Sequence, residues 1–313
     1  MQLMTSYPVT DLGADPDTLR AFAQGVEEAG YDGLLLSEHV LGVDVKSRPD
    51  WRPYNHVTQG PGEPIYDHTY PFFDPFVAFG FLAAVTKKIK LGTGVMVLGM
   101  RQTALAAKQA AIADVLTGGR LILAIGSGWN DVEYEAMGVD FNTRGRRMDE
   151  QIALLRALWT NDVVNFAGAW HTVRGAGINP LPVQRPIPLW IGGASAAAVK
   201  RAALLGDGYY PGLLPDEDEM KRLGRLRQLA IDAGRDLSTI AILGAVTQGP
   251  REPERMVKAA QRWQALGATH LTIRTSSHPV VWPRDMPPAD RSAAVEKHLD
   301  ALRRFKAAWD NRS

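Results

Sequence analysis

The chain has 313 residues, 45% apolar and 22% charged, with 35 Lys and Arg against 34 Asp and Glu and no Cys. A formal charge of +1 without any block of like charges argues against nucleic acid or an anionic membrane as the main partner, since both need a concentrated basic face. The missing cysteines exclude disulfides, thiolate nucleophiles, iron–sulfur clusters and cysteine-ligated zinc. Met1 to Thr10 lacks the charged-then-apolar pattern of a signal peptide and no apolar run is long enough to span a bilayer, so the expected compartment is the cytoplasm.

The predicted elements alternate along the chain. A short strand at Gln2 to Ser6 precedes a helix over 15–29, opened by Asp15-Pro16 and placing Leu19, Phe22, Ala23 and Val26 on one stripe. Gly30 stops that helix, and Tyr31 to Leu36 reads as a strand. Asp74-Pro75 opens a helix over 74–86, followed by strand Ile89 to Leu98, helix Leu105 to Leu116 and strand Arg120 to Ile125. Helix 144–159 carries Met148, Ile152, Leu155 and Leu158 at spacings of four and three. Then come strand Pro188 to Ile191, helix 195–205, strand Gly208 to Pro211, helix 216–233, strand Thr239 to Val246, helix 253–266, strand His270 to Thr275 and helix 290–308.

Short strands joined by helices above ten residues imply a parallel sheet with right-handed crossovers. Roughly eight such units point to an α/β fold of the (β/α)₈ TIM-barrel type with insertion regions, one domain over 1–313. The rival, a doubly wound sheet, needs a Gly-rich turn after the first strand, and Val9-Thr10-Asp11-Leu12-Gly13 lacks it. Two stretches break the rhythm. Residues 41–73 hold Trp51, Tyr54, Tyr70 and Phe72 among prolines and glycines, the composition of an irregular mobile lid over a pocket, and 276–289 is proline-rich.

Chemistry in such a barrel gathers at the C-terminal strand ends. That rule selects Ser37-Glu38-His39 after the second strand, Gly92-Thr93-Gly94-Val95-Met96 and Arg101 after the third, Gly126-Ser127-Gly128-Trp129-Asn130 after the fourth and Gly192-Gly193-Ala194-Ser195 after the fifth. His39 can exchange protons near neutral pH, or it can merely pin the loop by bonding a backbone carbonyl; position alone leaves both open. Gly192 to Ser195 at a helix start is a plausible phosphate cradle. With the close backbone approach at Gly126 to Gly128 it favours a phosphorylated or flat cofactor. His171 reads as a surface histidine in a small hairpin and His270 as structural. His56 and His68 share the long loop, but no helical histidine pair or carboxylate triplet supports a metal. Neither a Gly-x-Ser-x-Gly elbow nor a P-loop occurs.

The order Gly30-Tyr31-Asp32-Gly33, Ser37-Glu38-His39 and Leu91-Gly92-Thr93-Gly94-Val95 resembles the luciferase-like monooxygenase superfamily. So do Gly126 to Asn130 with Glu133, Gly138, Gly145-Arg146-Arg147 and Glu150, and Pro188 to Gly193 leading to Gly206-Asp207-Gly208. Within it the chain looks most like the branch that uses the deazaflavin coenzyme F420, and the likeness is strong to about residue 212. The resemblance implies a flavin or deazaflavin at the C-terminal strand ends, with His39 beside the ring and a non-prolyl cis peptide at Gly94-Val95 behind it. It implies that Ser37, Gly126, Ser127, Gly128 and Asn130 contact the cofactor, and that Gly192, Gly193, Ala194 and Ser195 meet its phosphate. Trp129 stands where some sugar-phosphate dehydrogenase relatives carry a glutamate, so their substrate and acid are not expected here.

The implied activity is hydride transfer between F420 and a small organic substrate. His39 would be the proton donor or stabilise the charge of the reduced ring, and Glu38 would orient His39 or contact the cofactor. The alternatives are an FMN-dependent monooxygenase closed by the 41–73 lid, and a non-catalytic flavin-binding protein. The resemblance also implies a homodimer.

Overall fold

In the computed structural model, which describes residues 1–54, 58–60, 63–211, 215–247, 253–276 and 288–312, the short apolar runs pair as parallel strands. They are β1 (Gln2–Ser6), β2 (Gly33–Leu36), β3 (Lys90–Thr93), β4 (Leu121–Gly126), β5 (Leu189–Gly192), β6 (Gly208–Tyr210), β7 (Ala241–Thr247) and β8 (His270–Arg274). Each pairs with the next, with Met4 beside Gly33 and Leu34 beside Leu91. β8 returns to β1, with Gln2 beside His270, and closes the expected (β/α)₈ barrel.

The helices are α1 (Pro16–Glu28), α2 (Pro75–Val85), α3 (Thr103–Thr117), α4 (Arg144–Thr160), α5 (Ala196–Leu205), α6 (Glu217–Asp232), α7 (Pro253–Ala265) and α8 (Pro288–Asp310). The two Asp-Pro starts act as read. Asp15 accepts from the amide of Thr18 and Asp74 from those of Phe76 and Val77, while proline fills the first helical position, whose amide has no helical partner. Among the described residues no helix is long and apolar enough to cross a membrane.

Two cores result. Met4, Leu35, Ile122, Ala124, Trp190, Tyr210 and Leu243 fill the barrel interior, and a larger apolar layer lies between strands and helices. A β-carbon on Gly208 would overlap the Trp190 ring, so glycine on β6 makes room for the indole inside.

The structure departs from the sequence reading where local patterns could not see the strand ends. The run Ile89 to Leu98 is not one strand. It breaks after Thr93 at a cis Gly94-Val95 bond, and Met96–Val97 resumes the pairing beside Ile125 and Gly126. The 41–73 insertion is not wholly irregular, because Thr58–Gly60 pairs antiparallel with Glu63–Pro64. The expected hairpin around His171 is present as Val164–Ala167 against Thr172–Ala176. Residues 277–287 of the proline-rich break, and His56, lie outside the described residues.

Candidate active site

A cavity of about 260 Å³ opens at the C-terminal ends of β1, β2, β7 and β8 and reaches the Gly94-Val95 bond after β3. Its lining includes Ser37, Glu38 and His39, so the first of the predicted clusters faces it. Tyr66, Tyr70 and Phe72 of the insertion also line it. A larger groove of about 670 Å³ lies between α1 and α8 on the outside of the barrel, away from the strand ends.

His39 is held on one side only. Its Nδ1 is 3.1 Å from Oε2 of Glu133 and 2.7 Å from the Tyr66 hydroxyl, and the Tyr66 ring stacks on the imidazole with centroids 3.9 Å apart. Phe72 and Trp129 meet the same imidazole edge-on. Nε2 has no protein partner among the described residues, and the residue lines the cavity.

Glu133 sits in the short helix Asp131–Ala136, whose start is capped by Asn130 accepting from the amide of Val132. The Glu133 side chain is 1% exposed, and its Oε1 accepts from the amides of Val40 and Leu41 at 2.6 and 3.2 Å. Asn130 donates through Nδ2 to the Leu41 carbonyl and the Tyr66 hydroxyl. Burial, with the charge of Glu133 beside it, keeps the Tyr66 phenol well above its usual range and therefore protonated. A buried carboxylate needs donors, so the consistent arrangement shares Nδ1–H between Glu133 and Tyr66. Nε2 is then the ring nitrogen left without a protein partner among the described residues.

Of the two roles expected for Glu38, orienting His39 belongs instead to Glu133. The buried Glu38 carboxylate accepts from the amide of Val97 at 3.0 Å and from Arg101 at 2.6 Å. Burial pushes its carboxyl up, and the Arg101 guanidinium opposes that rise. Its visible work is to pin the chain just after the Gly94-Val95 bond. Glu133 appeared in the sequence only as part of a resemblance, and neither Tyr66 nor Arg101 was assigned a role.

The glycines at the ends of β4 and β5 act together with Val95. A β-carbon would come within 3.2 Å of Val95 from Gly126 and within 2.7 Å from Gly192. Both positions thus leave space for Val95 on the barrel mouth. Gly128 has φ of +68°, and a β-carbon there would also meet Val97 at 2.7 Å. The Ser127 carbonyl accepts from the Tyr134 hydroxyl at 2.6 Å.

Gly193, Ala194 and Ser195 are exposed at the start of α5. Ser195 Oγ accepts from the amide of Ala198 at 3.2 Å, so this hydroxyl already caps the helix and keeps only its own proton to offer a ligand. The first amides of α5 have no helical partner and point outward from the positive end of the dipole. An uncharged floor at Val95 beside an exposed amide rim fits a flat ring with an anionic tail.

His171 is not the surface histidine expected. Its Nδ1 meets Glu150 at 2.7 Å and its Nε2 the Thr103 hydroxyl at 2.6 Å, fastening the hairpin to α4 and α3. Burial works against the Glu150 charge, yet His171 and the amides of Ala169, Trp170 and His171 hold its carboxyl below the usual range. His270 opens β8 and meets the Trp190 ring edge-on. Among the described residues no group of three or more His, Asp or Glu side chains could hold a metal ion.

The sequence model of the family described as luciferase-like monooxygenase matches residues 2–310. An uncharacterised protein of Mycobacterium tuberculosis is 32% identical over 241 residues, 74% of this chain and 79% of its own length. An F420-dependent glucose-6-phosphate dehydrogenase of Amycolatopsis mediterranei is 28% identical over 267 residues, 83% of this chain and 67% of that protein. An FMNH2-dependent dimethylsulfone monooxygenase of Pseudomonas putida is 37% identical over 133 residues, 41% of this chain and 36% of that protein. Among solved structures, an F420-dependent secondary alcohol dehydrogenase in complex with an F420-acetone adduct has a TM-score of 0.73 at 17% identity, covering 97% of this chain and 98% of the other. At that identity the likeness establishes the fold alone.

Proposed function

Since the chain belongs to the luciferase-like monooxygenase family, we propose that it is an F420-dependent oxidoreductase that moves a hydride between the deazaflavin and a small organic substrate. The observation that carries this reading is His39, which lines the cavity with Nδ1 tied to Glu133 and Tyr66 and Nε2 without a protein partner among the described residues. The cofactor, when bound, supplies the hydride-carrying ring carbon. The chain's own groups do the rest. His39 gives or takes the proton at Nε2, and Glu133 balances the imidazolium charge. Tyr66 and Phe72 cover the imidazole and keep water from it. Ser195 and the α5 amides hold the phosphate, and Ser37, Gly94, Val95, Gly126, Ser127, Gly128, Asn130, Gly192, Gly193 and Ala194 form the remaining cofactor wall. The working assembly is a homodimer: α2 carries no charged side chain, yet Val77 on it is 75% exposed.

Fluorescence titration of the purified protein with F420 and with FMN tests the cofactor. The expected result is micromolar or tighter binding of F420, with FMN weaker by about tenfold or more. The reverse order supports the second reading, an FMN-dependent monooxygenase, which the 37% identity over 133 residues to the dimethylsulfone enzyme favours.

A further inference from the structure

The cavity beside His39 contains a positive charge that the hydride-transfer reading leaves unused. Among the described residues, three charged or chargeable side chains of the acid, histidine and arginine kind line it: Glu38, His39 and Arg274. Glu38 is matched by Arg101, and His39 by Glu133. Arg274, at the end of β8, has no carboxylate within 4 Å among the described residues. Its Nη2 donates to the Tyr210 hydroxyl at 2.8 Å. Its Nε–H is buried and has no acceptor among the described residues.

A buried donor without an acceptor is costly and uncommon, and a half-buried cation without a counter-ion is more so. An oxyanion in the cavity supplies the missing counter-charge, because guanidinium nitrogens form a planar fork that matches a carboxylate or phosphate edge. Neutral donors stand beside the fork. Thr247 is the register partner of Arg274 on β7, Ser276 lies two residues on, and both line the cavity. The cofactor's phosphate does not account for this charge, since the amide rim that suits it lies at β5, three strands round the barrel from β8.

We propose that Arg274, with Thr247 and Ser276, forms a subsite for the anionic group of the substrate, so that this enzyme acts on a small organic anion, carboxylate-bearing in the simplest case. The inference rests on reading the cavity as the substrate chamber. The anion anchored at Arg274 leaves the rest of the molecule to reach His39 within the same cavity.

The test uses benzoate and benzamide, which share shape and differ in charge, and it needs no turnover. Benzoate should raise the thermal midpoint of the wild-type protein and shift one slowly exchanging arginine Nε–H resonance, while benzamide does neither. In Arg274→Gln, which can still donate to Tyr210, benzoate affinity should fall by at least about fivefold and the F420 dissociation constant should change by less than about twofold. Arg274→Lys, which keeps the charge without the fork, should bind benzoate with intermediate affinity. Equal response to benzoate in wild type and Arg274→Gln overturns the proposal. So does loss of cofactor affinity in Arg274→Gln with benzoate indifferent, which assigns the arginine to the cofactor. If Arg274→Gln does not fold, the wild-type resonance shift and Arg274→Lys decide between the same outcomes. Failure of F420 and FMN alike to bind the wild type sinks the oxidoreductase reading and leaves the benzoate result standing by itself.

Discussion

Nδ1 of His39 and Oε2 of Glu133, 94 residues apart in the chain, stand 3.1 Å from each other at the mouth of the barrel. The carboxylate is buried, accepts two amides from the loop that follows His39, and so fixes both the ring and the backbone that carries it. Replacing Glu133 with Gln removes the carboxylate beside Nδ1 and puts an amide in its place. Turnover should fall by about 10²-fold with cofactor affinity intact, measured as reoxidation of reduced deazaflavin by a panel of enones, quinones and imines. An unchanged rate means that the pair serves only to shape the loop.

His39 itself separates chemistry from positioning. His39→Ala should slow turnover by about 10²–10⁴-fold while F420 still binds. His39→Asn retains a hydrogen bond without a titratable proton. Near-normal turnover in the Asn variant makes the residue an orienting group, with the proton drawn from solvent. Lost cofactor affinity with turnover preserved in the Ala variant makes it a wall of the binding site.

Ser195 carries two duties that substitution can divide. Ser195→Ala removes both the cap on α5 and the proposed phosphate contact, so stability should drop by about 1 kcal/mol and the F420 dissociation constant should rise by about tenfold. Ser195→Asp caps equally well but places a negative charge at the rim. Its thermal midpoint should match that of the wild type while cofactor affinity collapses. An Asp variant that binds F420 normally would remove the phosphate from this loop.

The insertion is latched rather than loose where it is described. Trp51 Nε1 donates to Asp131 at 2.7 Å, and Arg48 meets Glu135 through two bonds of 3.0 and 3.2 Å. Both partners lie on the short helix that presents Glu133 to His39. Asp131→Ala should therefore increase the rate of tryptic cleavage after Lys46 several-fold, and added salt should increase it further by screening the exposed ion pair. Cleavage that is equally fast in the wild type would mean that these latches do not hold the loop in solution.

Stability should rise with pH on the acid side of neutrality because two histidines are buried uncharged. Burial, aided by the nearby charge of Lys90, pushes His270 down to about 4 from an ordinary 6.5. Burial also lowers His298, against the pull of Asp11. Between these values the unfolded chain binds a proton at His270 that the folded chain refuses, so this histidine favours unfolding as pH falls from about 6.5 toward 4, and His298 acts in the same direction. The slope for one group approaches 1.4 kcal/mol per pH unit at most, of the order of one pKa unit's worth of free energy. Urea unfolding at pH 4.5, 5.5, 6.5 and 7.5 should show that rise, and His270→Gln should flatten it. A variant with the wild-type slope would place the sensitivity elsewhere.

The alternation of apolar runs with amphipathic helices, and the Asp-Pro starts at Asp15 and Asp74, were sufficient to specify a parallel barrel and most of its element boundaries. These are local properties, set by periodicity and by the backbone needs of a helix start. They also placed His39, Gly94-Val95, Gly126 to Asn130 and Ser195 at strand ends, because chain order fixes which loops rise from which end of a parallel barrel. The partners of those residues were decided only when the sheet closed. Glu38 adjoins His39 in sequence, but neighbours leaving a strand project to opposite sides, so Glu38 turns to Val97 and Arg101 and leaves the imidazole to Glu133. Tyr66 and Arg274 approach the same cavity from an insertion and from the last strand, and no spacing along the chain encodes that approach. Closure of β8 against β1 brings those segments to one rim, and there burial and hydrogen-bond demand select which side chains face each other.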